Sequence, residues 1–99
     1  MKRFLMLYSG PPTPPDASHA GWWEWFGKLG DALVDRGSPM VDGVVVRSDG
    51  STGDDVARLN GYGIIQAEDR TAALALLRDH PLLAAGQDYA IELFELPMK

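Results

Sequence analysis

The stretch Phe4-Leu5-Met6-Leu7-Tyr8, followed at once by Ser9-Gly10-Pro11-Pro12, decides how the fold begins. An apolar run of β-capable residues that ends abruptly at glycine and proline is typical of a strand buried on at least one face. It predicts a first strand over residues 2–9. The proline-rich residues 10–17 are then expected to cross the surface without helix or strand pairing, because proline lacks the backbone donor.

Hydrophobic periodicity predicts two helices after this strand. Apolar residues recur at three- and four-residue spacing from Trp22 to Leu33, which predicts a first helix that Asp16 or Ser18 caps and Gly37 closes. A second helix is expected to open at the acidic pair Glu68-Asp69, to bury Ala72, Ala73, Leu76 and Leu77, and to stop at Pro81. Three further strands are predicted over Met40–Val46, Gly61–Ala67 and Tyr89–Leu96.

The predicted order of elements is β-α-β-β-α-β in a single domain that spans residues 1–99. This order is typical of a ferredoxin-like α+β sandwich, in which two helices cover one face of a four-stranded antiparallel sheet. The other face then lacks a cover within the chain, although its strands alternate apolar side chains onto it. We therefore expect a homodimer that packs open sheet face against open sheet face.

Composition argues against several classes of function. The chain has 9 Lys and Arg against 14 Asp and Glu, a formal charge of −5, so binding to nucleic acid is not expected. It has no cysteine, which excludes disulfides, thiolate nucleophiles and cysteine-ligated metals. The first apolar run is too short for a signal peptide or a membrane span, so we expect no membrane association and a cytoplasmic location. The aspartates of residues 42–55 lack calcium-loop spacing, and no metal or cofactor is predicted.

The chain resembles the YCII-related family of the dimeric α+β barrel superfamily, including its DGPF-domain branch. The resemblance extends over essentially the whole chain and rests on the opening strand, a tryptophan-bearing first helix, and two later segments. Those segments are Leu59-Asn60-Gly61-Tyr62-Gly63-Ile64-Ile65, followed by Ala72, Leu74 and Leu77, and His80-Pro81-Leu82-Leu83-Ala84-Ala85-Gly86.

The resemblance implies a homodimer with a cleft of small-molecule size beside each sheet, and a suspected enzyme activity that depends on a helix-one His and an Asp before proline. This chain departs from that pattern. The helix-one His position falls on or near Phe26, His80 directly precedes Pro81, and the acidic residue is one step earlier, at Asp79. The loop after the predicted second strand reads Asp49-Gly50-Ser51-Thr52 instead of DGPF.

Two histidines are the candidates for proton transfer, because imidazole titrates near neutral pH. His80 is predicted either to cap the end of the second helix as a cation or to line the cleft with Asp79 beside it. His19 is predicted either to be a solvated first-turn residue or to be a neutral base at the mouth of the cleft, if the proline segment forms a lid.

Aromatic residues are the candidates for ligand contacts. Trp22 continues the buried stripe of the first helix, whereas Trp23 heads a line through Gly27 and Gly30 against which a loop, a partner subunit or a flat ligand could pack. The hydroxyls of Tyr8 and Tyr62 are candidates to orient a ligand.

The sequence thus favours a homodimer that binds a small organic metabolite beside its sheet, with cofactor-independent His acid–base chemistry as the enzymatic hypothesis. The alternative is a non-catalytic ligand-binding or accessory protein.

Overall fold

The computed structural model describes residues 1–11, 20–84 and 86–97. It shows an α+β protein with a four-stranded antiparallel sheet. The strands are β1 (Lys2–Ser9), β2 (Leu33–Pro39), β3 (Val45–Val46), β4 (Thr52–Gly53), β5 (Leu59–Ala67) and β6 (Ala90–Leu96), and the helices are α1 (Ala20–Leu29), α2 (Arg70–Leu76) and α3 (Pro81–Ala84). A 3₁₀ turn, Gly30–Ala32, links α1 to β2.

The main sheet has the strand order β2-β5-β1-β6, and all three pairings are antiparallel. Strands β3 and β4 form a separate two-stranded hairpin between β2 and β5. This arrangement is compatible with a ferredoxin-like fold. The first strand and the segments 61–67 and 90–96 lie where the sequence predicted strands.

The core lies between the helices and one face of the sheet. Strand β1 alternates strictly, so Phe4, Met6 and Tyr8 are buried while the residues between them are partly exposed. These side chains form one cluster with residues from β5 and from all three helices: Trp25, Leu29, Ile65, Ala67, Ala73, Leu77 and Leu82. Asp69 starts α2 by accepting a hydrogen bond from the backbone N–H of Ala72 at 2.8 Å, within the acidic pair at which the sequence predicted that this helix opens.

The sequence prediction was wrong between residues 30 and 46. The first helix ends at Leu29 instead of Gly37, because Gly30 adopts a left-handed φ of 53° that terminates a helix. Strand β2 follows directly and pairs with β5. Gly37 lies inside β2 with a φ of 74°, and a Cβ there would collide with the carbonyl oxygen of Tyr62. Gly37 therefore allows close approach of two strands and does not close a helix.

The predicted strand Met40–Val46 is likewise not part of the main sheet. Only Val45–Val46 is extended, and it pairs with Thr52–Gly53 in the hairpin. The core cluster contains no residue between 40 and 58, and Val41, Val44 and Val46 are exposed. The β-branched composition thus predicted a strand correctly only at Val45–Val46, and the sequence assigned it to the wrong sheet.

The second face of the main sheet carries apolar side chains that the helices do not cover. Residues paired directly across two strands share a face, and Leu5 is paired with Ile64 on one side and with Phe94 on the other. Leu7 pairs in the same way with Tyr62. Phe94 is 49% exposed. We refer to this surface as the open face. It carries Leu5, Leu7, Tyr62, Ile64, Phe94 and Leu96, together with the polar residues Arg3, Gln66 and Glu92 in the same register.

In the ranges that the structure describes, no helix is both long enough and apolar enough to cross a membrane. The proposed lid of prolines and the helix caps Asp16 and Ser18 lie outside the described residues, apart from Pro11.

Candidate functional site

His80 is the most deeply buried polar residue of the described chain, with 1% of its surface exposed. Helix α2 ends at Leu76, so His80 does not cap its last carbonyls as a cation, as one interpretation of the sequence had it. Instead it directly precedes α3, and its Nδ1 accepts a hydrogen bond from the backbone N–H of Leu82 at 3.0 Å. The imidazole therefore caps the start of α3 as an acceptor, while Pro81 occupies the first helical position.

The imidazole of His80 is neutral across the physiological pH range. Burial lowers its pKa from 6.5 to about 4, although the negative charge of the neighbouring Asp79 acts in the opposite direction. Asp79 is not hydrogen-bonded to the ring. Its carboxylate points to Lys28 of α1, with an Nζ to Oδ2 distance of 3.5 Å between two exposed side chains.

Three aromatic rings surround His80. Their centroids lie 4.1 Å from the imidazole for Trp25, 4.8 Å for Trp22 and 5.1 Å for Tyr8. Trp22 and Trp25 come from α1, and Tyr8 comes from the end of β1. The site therefore sits where the helix layer meets the sheet, and apolar ring faces and edges form its wall.

Tyr8 reaches this position because β5 has glycines, Gly61 and Gly63, at the two positions next to its ring. Tyr8 is paired with Gly61. A Cβ added at Gly63 would lie 3.0 Å from the Tyr8 hydroxyl oxygen, and one at Gly61 would lie 3.3 Å from its ring. The two glycines of β5 thus leave the space that the Tyr8 ring occupies. Burial raises the pKa of Tyr8 above its ordinary value of 10.

Two polar atoms of this site have no hydrogen-bond partner among the described residues: the hydroxyl oxygen of Tyr8 and Nε2 of His80. Both atoms are buried, and they belong to side chains whose rings are in contact. A folded protein leaves few buried polar atoms unpaired, so two of them on neighbouring rings require an explanation.

The structure brings together three of the residues that the sequence singled out, Tyr8, Trp22 and His80. The side chains of three others, Trp23, Tyr62 and Asp79, have their contacts elsewhere. Trp23 is 58% exposed, and the Arg36 guanidinium lies over its ring at 4.7 Å. Tyr62 projects from the open face, on the side of the sheet opposite Tyr8. Asp79 faces Lys28 at the surface, and His19 lies outside the described residues.

Trp25 is the site residue that sequence reasoning missed. Its ring is the closest to His80, yet the helical stripe assigned it only to the core. The available signal was its three-residue spacing from Trp22, which places both indoles on one side of α1.

A groove of about 510 Å³ lies elsewhere, between the start of α2 and the ends of β1 and β6. Its lining includes Lys2, Asp69 and Arg70 but none of the predicted site residues. Across the described part of the chain, no three His, Asp or Glu residues form a group that could hold a metal ion.

No family model matches this chain, and no curated protein or solved structure shows significant similarity to it.

Proposed function

We propose that this protein binds a small organic molecule at the site formed by His80, Tyr8, Trp22 and Trp25, with His80 available for proton transfer. We further propose that the fold is the ferredoxin-like βαββαβ sandwich that the YCII resemblance implies, and that the protein is a homodimer through its open face. The observation that carries the binding proposal is the pair of unpaired buried atoms, Tyr8 Oη and His80 Nε2.

The energetic argument concerns what these two atoms lose on folding. Leaving a buried donor or acceptor unpaired costs about 1–3 kcal/mol. A ligand with a polar atom between Tyr8 and His80 would remove this cost for both groups at once, and the surrounding rings would contact its apolar part. A buried water molecule would satisfy the same atoms and is the outcome that the experiment must separate from binding.

Two substitutions at His80 separate binding from folding. Asparagine in place of His80 keeps an oxygen acceptor for the N–H of Leu82 but removes Nε2, whereas alanine removes both. We expect a set of small polar fragments to contain binders that raise the melting temperature of the wild type, and that lose this effect with His80→Asn.

The contradicting result is equally concrete. If no fragment binds the wild type near Tyr8 and His80 by NMR, the two atoms serve only a bound water and the binding proposal falls. His80→Ala is expected to lower the melting temperature more than His80→Asn in the absence of any ligand, because the α3 cap is lost as well.

The homodimer is supported by the composition of the open face. Leu5, Leu7 and Ile64 lie next to one another there, and Phe94 is half exposed. Contiguous apolar patches of this kind mark interaction surfaces, and a two-fold axis would let one such face cover its own copy.

Sedimentation tests this arrangement with matched variants. Ile64→Glu places a charge in the middle of the open face, whereas Val44→Glu places one on the exposed hairpin. We expect the wild type and Val44→Glu to sediment as dimers and Ile64→Glu as a folded monomer. A monomeric wild type at micromolar concentration would refute the dimer.

Binding without catalysis is the second candidate function, and the position of Asp79 favours it. A catalytic histidine is commonly oriented by a carboxylate, but Asp79 faces Lys28 and the His80 ring is held by a backbone N–H. A protein that binds its ligand through His80 and shows no turnover would match this candidate.

A further inference from the structure

The capping bond of His80 determines which ring nitrogen carries the proton. The N–H of Leu82 donates to Nδ1, so Nδ1 holds a lone pair. A neutral imidazole has one N–H, which must then lie on Nε2. Nε2 is therefore a hydrogen-bond donor, and using it as a base would require a tautomer that breaks the cap on α3.

The second unpaired group, the hydroxyl of Tyr8, is also a hydrogen-bond donor. The Tyr8 hydroxyl donates one hydrogen bond, and it stays protonated because the site is buried. The two groups that are free at this site thus offer two donors on adjacent rings. Their natural partner is an oxygen atom that accepts two hydrogen bonds through its two lone pairs.

The surroundings determine the charge of that oxygen. His80 is the only buried polar or charged residue in the described ranges besides the Tyr8 hydroxyl, and the rings packed against it are those of Trp22, Trp25 and Tyr8. The neighbouring Asp79 pairs with Lys28 at the surface. No cationic side chain is buried among the described residues, so a carboxylate or phosphate here would have none of them as a partner, which is strongly unfavourable in an apolar enclosure.

We propose that the site takes an uncharged carbonyl compound, such as a ketone or aldehyde, whose oxygen accepts from Nε2–H of His80 and from the hydroxyl of Tyr8. This inference rests on the proposed binding function and specifies its ligand class. A neutral imidazole that donates to a carbonyl oxygen polarises it and stabilises negative charge developing there. For this ligand class, His80 would therefore act as an electrophile, and this role replaces the proton transfer proposed above.

Three probes of similar size test the ligand class. Acetophenone has a neutral carbonyl, ethylbenzene has no acceptor, and benzoate has an anionic one. We expect acetophenone to bind the wild type roughly tenfold more tightly than either of the others, as one or two additional hydrogen bonds allow. Binding is measured from the ¹⁵N and ¹H NMR signals of the His80 ring and of the Trp22 and Trp25 indoles.

Two variants test the donors separately. Tyr8→Phe removes one hydroxyl and His80→Asn removes Nε2–H while keeping the α3 cap. Each is expected to lower the ratio of acetophenone to ethylbenzene affinity about threefold, because each removes one of the two hydrogen bonds that together give the tenfold preference. An NMR spectrum of the wild type that shows the proton on Nδ1 would overturn the assignment of His80 as a donor.

The possible failures are distinguishable. If benzoate binds more tightly than acetophenone and moves the His80 signals, the carbonyl class is wrong and the binding function stands. If acetophenone does not perturb the site but other fragments do, the class is wrong as well. If neither the probes nor the fragment set perturb the site, both proposals fall together.

Discussion

Both faces of the four-stranded sheet carry apolar side chains, but only one of them is covered by helices. Under α1, α2 and α3, the side chains of Phe4, Met6 and Ile65 are almost completely removed from solvent. On the open face, Leu5 and Ile64 are only partly buried and Phe94 is half exposed. Because side chains alternate along a strand, the same strands β1 and β5 supply both surfaces.

The two faces also differ in where they place polar groups. The covered face buries His80 and the hydroxyl of Tyr8, each with an unpaired atom, within a ring of aromatic side chains. The open face carries Tyr62, which is paired with Leu7 on one side and with Ser38 on the other. The contrast motivates the two proposals made above, ligand binding on the covered face and association through the open face.

The largest expected effect on stability comes from two adjacent isoleucines. Ile64 lies on the open face and Ile65 on the covered face, so the same side chain is compared in both positions. Ile65→Ala removes a fully buried side chain and is expected to cost about 2–5 kcal/mol of unfolding free energy. Ile64→Ala is expected to cost less than about 1.5 kcal/mol in the monomer, because its side chain is only partly buried.

Urea unfolding at several protein concentrations measures both values. If the open face forms the dimer interface, the cost of Ile64→Ala increases with protein concentration, whereas the cost of Ile65→Ala persists at the lowest concentration. Equal, concentration-independent costs for both variants would contradict the distinction between the faces.

The second prediction concerns the pH dependence that only the covered face should show. Since burial lowers the pKa of His80 to about 4 in the folded state, the unfolded chain binds a proton below pH 6.5 that the folded chain does not. The contribution of His80 to the free energy of unfolding is therefore fully present above pH 6.5. It is lost as the pH falls toward 4, by on the order of 3 kcal/mol in total.

His80→Asn provides the matched control, because it keeps the cap acceptor and cannot titrate. The difference in unfolding free energy between wild type and variant should grow smaller between pH 6.5 and 4, as measured by chemical unfolding at each pH. A difference that stays constant over this range would show that the imidazole is not held neutral by burial.

How much of this could be predicted from sequence differs along the chain. Strands β1, β5 and β6 and helix α2 follow from alternation, helical period and turn residues, which are local signals. The error at residues 30–46 arose because the apolar stripe continues through Leu33, past the point where Gly30 ends the helix. Which of two extended segments pairs with β5 is decided by tertiary contacts, here the fit of Gly37 against Tyr62.

The candidate site divides in the same way. Tyr8, Trp22 and His80 could be selected by residue type, but their convergence depends on where α3 begins relative to α1. Tyr62 was grouped with Tyr8, although the register of β1 and β5 places the two on opposite faces. The capping bond from Leu82 could not be foreseen, because α3 itself was not predicted.

The smallest expected effect on the free energy of unfolding comes from the two tyrosines, when the hydroxyl is removed from one tyrosine on each face. In the ligand-free protein, Tyr8→Phe replaces an unpaired buried hydroxyl with a group that does not need a partner, so it is expected to stabilise the fold by about 1 kcal/mol. Tyr62→Phe is expected to change stability by less than about 0.5 kcal/mol, because its hydroxyl lies on the open face.

Thermal unfolding at neutral pH measures both tyrosine variants. Above pH 10 the wild type should also lose stability relative to Tyr8→Phe, since burial raises the folded pKa of this phenol and only the unfolded chain ionises there. A Tyr8→Phe variant less stable than the wild type would mean that the hydroxyl has a partner in solution. The first candidate for that partner would be a water molecule that bridges the hydroxyl to His80. Both buried polar atoms would then be hydrogen-bonded without a ligand, and ligand binding would not be needed to stabilise them.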